Sequence, residues 1–190
     1  MEVGNEFEKT VGERIRALRI RRGLTLDGLA EVSGVSRAMI SRIERAEASP
    51  TAALLARLCA ALGVSLSVFF SSDEEEGGPL ARRRDQPVWR DPESGYLRRA
   101  VSPAGTGSGT DIIEIDFPAR AEVRFPGHLS GRSQTQHVWV FDGTIELEVG
   151  DGVHRLEAGD CLFMNVADVK AYRNPTDRPA RYAVVIALGP

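Results

Sequence analysis

Cysteine and histidine are scarce in this chain of 190 residues, which has two of the first and three of the second. Cys59 lies in an apolar helical run and Cys161 in an apolar strand, so each reads as a small core residue rather than half of a disulfide or a metal ligand. The sequence has no Cys-x-x-Cys pair, no glycine-rich phosphate loop, no nucleophile elbow and no internal repeat, so the usual marks of redox, nucleotide-dependent and hydrolytic enzymes are missing. No apolar run approaches the roughly 20 residues of a membrane helix. The acidic start, Met1-Glu2-Val3-Gly4-Asn5-Glu6-Phe7-Glu8, lacks the apolar centre of a secretory signal. A cytoplasmic protein without a membrane partner is expected.

Hydrophobic residues make up 42% and charged residues 27%, the balance of an ordinary globular protein, and the length suits one or two domains with separate cores. The net charge of −3 hides an asymmetry. Residues 1–72 hold ten Lys or Arg against eight Asp or Glu, a balance of +2, while residues 73–190 hold fourteen against nineteen, a balance of −5. Local clustering matters more than the sum for phosphate contacts: Arg14, Arg16, Arg19, Arg21 and Arg22 fall on one helix, and Arg37, Arg42 and Arg45 on another.

The stretch Leu24–Glu44 has the pattern of two short helices joined by a tight turn. Thr25 is a good N-cap for a helix with Leu26, Leu29 and Ala30 on its apolar face, and Gly34 can adopt the left-handed backbone of a sharp turn. Ser36 caps the next helix. There Met39 or Ile40, then Ile43, face inward, leaving Arg37, Ala38, Ser41, Arg42 and Arg45 on or beside the outer surface, where a DNA groove can be read. A preceding amphipathic helix runs from about Phe7 to Arg22 with Val11, Ile15, Leu18 and Ile20 on its face and Gly23 as its stop. After Ser49-Pro50, a helix starting at Pro50 or Thr51 carries Leu54, Leu55, Leu58, Ala61 and Leu62 on one face; Ser65 can cap a last short helix through Phe70. Five helices are expected.

Ser71–Pro79 is acidic, glycine-rich and free of apolar side chains, which reads as a flexible linker. Arg82-Arg83-Arg84 follows, either a solvated run or a tethered phosphate contact. From Pro87 the period changes to that of short strands: Ile112–Phe117, His137–Phe141, Thr144–Val149, Cys161–Met164 and Tyr182–Ile186, separated by Asp-Gly, Gly-Asp or Asn-Pro turns. A sandwich or barrel is expected there. The domain layout read from this is 1–71, a linker at 72–86, and 87–190 with its core at about 110–188.

The first seventy residues closely resemble the phage-repressor-like, or XRE-type, helix-turn-helix family through Arg19, Gly23-Leu24-Thr25, Leu29-Ala30, Gly34-Val35-Ser36, Ile40-Ser41, Ile43-Glu44, Pro50 and Leu62-Gly63-Val64. The resemblance implies a structural pair between Arg19 and Glu44. It also implies a DNA-contacting set of Thr25, Ser36, Arg37, Ala38, Met39, Ser41, Arg42 and Arg45, in which Arg37 and Arg42 pair with guanine and Ala38 or Met39 touches a thymine methyl. Leu26 stands where the family often has a phosphate-contacting glutamine, so backbone N–H groups near Thr25 are left to hold that phosphate.

Residues 110–188 resemble a small cupin, a double-stranded β-helix barrel. Against the cupin pattern, Gln136 occupies the place of a ligand glutamate seven residues before the turn glycine Gly143, and Lys170 that of a ligand histidine four before Asn174. The first-motif histidine slots fall near Leu129 to Arg132, with His128 at least one residue early, and His137 on the strand face opposite Gln136. Glutamine is a poor ligand and lysine brings a positive charge, so no metal, cofactor or catalytic residue is expected. The expected alternative use is an effector pocket in which Arg132, Gln136 and Lys170 meet an anionic or amide group, walled by Val138, Val140, Leu147 and Phe163. Against this stand a Lys170 that snorkels or pairs with an acid, and a barrel that only dimerises. Trp139 and Phe141 are assigned to core, with a subunit contact as the alternative.

The resemblances together imply a homodimeric regulator that binds palindromic operator DNA through its first domain and senses a small molecule through its second, loosely coupled across the linker. Two other readings remain at this point: a metal-dependent cupin enzyme with a DNA-binding head, and an antitoxin-like protein whose barrel meets another protein.

Overall fold

A computed structural model of the chain describes residues 3–64, 66–70, 78–125 and 134–188. The amino-terminal unit has four helices of eight residues or more: α1 (Val3–Arg21), α2 (Leu26–Ser33), α3 (Arg37–Glu44) and α4 (Ala52–Ala61), followed by a five-residue helical segment, α5 (Leu66–Phe70). Val11, Ile15, Leu29, Ile40, Ile43, Leu55 and Leu58 meet in one buried core. α1 begins four residues before the expected Phe7, and Ile20, placed by periodicity on its apolar face, is exposed.

The starts and stops have the chemistry that the sequence suggests. Thr25 Oγ1 accepts from Gly28 N–H at 3.0 Å, Ser36 Oγ from Met39 N–H at 3.3 Å and Thr51 Oγ1 from Leu54 N–H at 3.3 Å, each satisfying an orphan donor of a first turn. Ser65, expected to cap α5, lies outside the described residues. Gly34 turns the chain between α2 and α3 with φ of 64°. Gly12 has another role: a Cβ there would run into the Ile43 carbonyl oxygen, so this glycine lets α1 and α3 cross in close contact.

The described residues of the second unit form ten antiparallel strands: β1 (Val88–Arg90), β2 (Leu97–Ala100), β3 (Thr110–Phe117), β4 (Glu122–Arg124), β5 (Gln134–Asp142), β6 (Thr144–Val149), β7 (Gly152–Glu157), β8 (Cys161–Asn165), β9 (Val169–Arg173) and β10 (Ala180–Leu188). They form a six-stranded sheet, β1-β2-β3-β10-β5-β8, and a four-stranded sheet, β4-β9-β6-β7. The inner faces of both share one core, with Val138, Val140, Ile145 and Leu147 almost wholly buried. Alternation along β5 puts Gln136, Val138 and Val140 inward and His137, Trp139 and Phe141 outward. Trp139 and Phe141 are therefore not core: they lie on the outward face of β5 and are 50% and 37% exposed.

The two units touch directly, contrary to the loose coupling expected from the linker. Asp91, buried in the β1–β2 turn, accepts from Ala52 N–H at 2.7 Å with one carboxylate oxygen, capping α4 from the other unit, while its second oxygen accepts from Ser94 N–H and Oγ at 2.7 and 2.5 Å. Phe70 packs on Trp89 of β1, ring centroids 5.5 Å apart, and edge-on against Phe69 of the helical core at 5.4 Å. Of the expected linker at 72–86, residues 72–77 lie outside the described residues; the rest holds a 3-10 turn, Arg83–Asp85, in which Arg83 pairs with Glu114 of β3 at 2.9 Å. No helix among the described residues is long and apolar enough to cross a membrane.

Candidate nucleic-acid interface and barrel cavity

The first site is the outer face of α3. Ile40 and Ile43 anchor the helix in the core, which by helical spacing leaves Ser36, Arg37, Ala38 and Arg42 exposed and Ser41 at the boundary. Met39 is half-buried and packs on the core, so the inward face includes both residues the sequence left as alternatives. Arg37 Nε lies 3.2 Å from Asp27 of α2, a solvent-exposed contact. Arg42 makes only a long contact, 3.4 Å to the Glu47 carbonyl. Arg45 is gripped by both carboxylate oxygens of Glu47 at 2.7 and 2.8 Å and also donates to Ser41 Oγ; the bond to Glu47 raises the Arg45 pKa. Thr25 has its hydroxyl engaged as the α2 cap, beside the exposed first turn.

Behind this face, two arginines fix the frame. Arg19 donates from Nε and Nη2 to the two oxygens of Glu44 at 2.6 and 2.8 Å, and from Nη1 to the Leu24 carbonyl at 2.9 Å. Their side chains are only 13% and 7% exposed, and this hydrogen bonding holds the arginine pKa up against the effect of burial. Arg57 of α4 donates to the carbonyls of Ser33, at 3.1 Å, and Gly34, closing off the carboxyl end of α2. Arg57 is not marked by local sequence pattern, since it acts on a segment outside its own helix.

The second site is a cavity of about 120 Å³. It does not lie among Val138, Val140 and Leu147, which pack the barrel centre solidly, and Phe163, expected as a wall, is 58% exposed. Instead it opens between β2, β3 and β10 on one sheet and β4 and β9 on the other, and Ala56, Cys59 and Ala60 of α4 close one side. Phe117, Val123, Phe125, Tyr172, Tyr182 and Val184 give it mostly apolar walls. Gln136 reaches it and donates to Tyr172 OH at 3.0 Å. Burial raises the pKa values of Tyr96, Tyr172 and Tyr182, so their hydroxyls stay neutral.

Lys170 is not in this cavity. The β6–β9 register steps from Glu148 opposite Ala171 to Val149 opposite Val169, which leaves Lys170 as the extra residue of a bulge; its side chain is exposed, 3.7 Å from Asp151. Arg132, the third expected pocket residue, lies outside the described residues, as does His128. The group never assigned from sequence is Arg98 of β2, which lines the cavity, is only 7% exposed and stacks 4.3 Å over the Phe70 ring.

A divalent metal, which the cupin resemblance raises, does not fit these walls. The inward polar donors are amides and phenols, Gln134, Gln136, Tyr172 and Tyr182, and among the described residues no three His, Cys, Asp or Glu side chains gather. His137 and His154 are exposed, His137 against Phe163 at 5.0 Å.

A helix pair with an anchored, outward-facing arginine-bearing second helix, carried beside an antiparallel barrel, defines a DNA-binding protein with a second, ligand-sized compartment. Residues 15–69 match the helix-turn-helix family of the XRE type and residues 121–186 the cupin domain family. The chain is 38% identical over 168 residues to the HTH-type transcriptional regulator PuuR of Escherichia coli strain K12, covering 86% of both. It is 28% identical over 173 residues to the regulator SutR of the same strain, covering 90% of this chain and 91% of that one. An HTH_3 family transcriptional regulator from Vibrio cholerae superposes with a TM-score of 0.76 at 24% identity, covering 98% of this chain and 99% of that one. The chain belongs to the family of HTH-type transcriptional regulators that join an XRE-type helix-turn-helix to a cupin domain. It is thus a DNA-binding regulator.

Proposed function

We propose that this regulator works as a cytoplasmic twofold dimer that reads a palindromic operator with α3 and responds to a small molecule held in the junction cavity. In this reading residues 1–71 are the DNA-binding head, 72–86 the connection and 87–190 a non-catalytic sensor. The observation that carries it is the placement of the cavity: α4, the helix whose Arg57 braces the α2–α3 turn, is also one of the cavity walls. An occupant therefore touches the head and the barrel together, and by linkage operator DNA and occupant change each other's affinity by the same factor.

At the DNA, Arg42 is the least engaged cation on the outer face of α3 and is assigned to a guanine edge; Arg37 joins it by giving up the exposed contact with Asp27. Ser36, Ala38 and Ser41 line the same face, the half-buried Met39 sits at its margin, and Thr25 places the α2 first turn against phosphate. Arg45, held by Glu47, is assigned to the backbone. One head contacts too few base pairs for strong discrimination, so a second copy is required. The outer face of the six-stranded sheet, with Trp139, Phe141 and Phe163 exposed together, is the surface assigned to that contact.

Selection of bound duplexes from a random pool tests the reading. Arg42→Ala is expected to relax preference at one position of each half-site, at a cost of about 1–3 kcal/mol in discrimination, whereas Arg21→Ala weakens all duplexes evenly. Identical, sequence-blind losses in both variants would overturn the assignment of Arg42. A library of small metabolites, screened by thermal shift and then by anisotropy on the selected operator, tests the sensor. No compound that both stabilises the protein and moves operator affinity would overturn it.

A further inference from the structure

We propose that the junction cavity is a site for a small organic monocarboxylate, its carboxylate paired with Arg98 and its hydrocarbon body packed between the barrel wall and α4. The proposal rests on the reading of the barrel as a sensor and names the chemistry of what it senses.

Arg98 is 7% exposed and lines the cavity, yet among the described residues no hydrogen bond or ion pair holds its guanidinium; it stacks on the face of Phe70, 4.3 Å away, and the carboxylate of Asp111 acts on it only at longer range. A buried guanidinium normally finds a carboxylate or several carbonyls, because leaving its five N–H donors unmet is costly. The burial is severe enough to push its pKa down to about 10, which still leaves it charged at neutral pH. A ring face compensates part of the lost hydration but accepts none of the in-plane donors. The cavity beside it is the free volume where an acceptor can sit.

The surroundings restrict that acceptor. The one buried cation repels an ammonium and can balance one negative charge; a second, as on a dicarboxylate or a phosphate monoester, would be buried unpaired. The walls beyond Arg98 are hydrocarbon and aromatic, from Phe117, Val123, Phe125 and Val184, while the neutral hydroxyls of Tyr96 and Tyr182 are available to a carboxylate oxygen. An apolar cavity of about 150 Å³ holds benzene, so one of about 120 Å³ restricts the occupant to a short-chain acid. Such a molecule would lie against Ala56, Cys59 and Ala60 of α4 and under the Arg98–Phe70 stack, and Phe70 in turn meets Phe69 of the head core. Both contacts belong to the head, so occupancy alters how firmly head and barrel dock.

The test uses the full-length protein at pH 7 with 3-methylbutanoate and its uncharged isostere 3-methylbutanamide, measured by calorimetry. The acid is expected to bind at least tenfold more tightly than the amide. Arg98→Met, which keeps a long side chain over Phe70, is expected to erase the preference. Ala60→Leu, which fills the cavity from α4 with Arg98 intact, is expected to weaken the acid by tenfold or more, and it keeps the proposal testable should Arg98→Met fail to fold. Equal binding of acid and amide, no binding of either or of the straight-chain acids of four to six carbons, or unchanged acid binding in Ala60→Leu would overturn the proposal. If the acid binds through Arg98 while operator affinity stays fixed, the carboxylate site stands and the sensor reading falls. If an uncharged compound in the cavity moves operator affinity and no acid binds, the reverse holds.

Discussion

Arg19 and Glu44 bond in a two-pronged, largely buried pair that also ties down the Leu24 carbonyl, so it clamps α1, the following turn and the end of α3 at one point. Removing one member leaves the other charged and poorly solvated. Glu44→Ala is expected to lower unfolding free energy by about 3–5 kcal/mol, read by urea denaturation; a loss below about 1 kcal/mol would class the pair with ordinary surface bridges. Gly12 is the steric counterpart. Gly12→Ala must push α1 away from the Ile43 carbonyl and is expected to cost about 1–3 kcal/mol by overpacking, with a matching fall in melting temperature. Helix propensity alone predicts the opposite, a gain of about 1 kcal/mol, so the sign of the change decides which effect wins.

Among the elements, α2 and α3 were legible because their signals are local: a hydroxyl cap at each start, a left-handed glycine between them, and an apolar residue every third or fourth position. Five strand runs, in β3, β5, β6, β8 and β10, were legible from equally local signals; β7, with six residues, carries no such run, and β1 and β4, three residues each, are too short to show a period. Lys170, placed in the pocket by the cupin resemblance, is turned away from it by β9. Side-chain alternation carries residue identity to one face or the other only while pairing stays regular, and the bulge there moves Lys170 out to solvent. The Asp91 cap on α4 escaped reading because donor and acceptor are 39 residues apart. Asp91→Ala is expected to remove about 0.5–2 kcal/mol of cap energy and to loosen head from barrel, giving two separate steps in thermal unfolding. A single sharp transition in that variant would show that the aromatic contacts around Phe70 suffice.

For the whole molecule, the proposed dimer rests on the exposed aromatic face of the six-stranded sheet and the proposed control on the shared cavity. Trp139→Glu places a charge in the centre of the exposed aromatic patch while leaving the inward-facing core of β5 unchanged. Sedimentation is expected to shift from dimer to monomer, and operator affinity to fall steeply, since two half-sites then bind without the gain of linkage. A variant that stays dimeric would move the contact elsewhere. Head and barrel are held by an Asp91 cap, the Phe70–Trp89 stack and the common cavity wall, so the proposed signal between them has a path of packed side chains.

By itself the sequence determined the helix-turn-helix with its caps, the barrel class, the DNA-binding role and the structural pairing of Arg19 with Glu44, since each depends on residue type at short spacing or on a family pattern. Only the tertiary structure decided where the cavity lies, that Lys170 turns away from it, that Trp139 and Phe141 are exposed on the outer sheet face, and that Arg98 is a buried cation lining the cavity. The physical reason is range. Caps, turns and periodicity act within a few residues, whereas burial and charge compensation depend on which distant segments close over a side chain, as α4 and Phe70 close over Arg98.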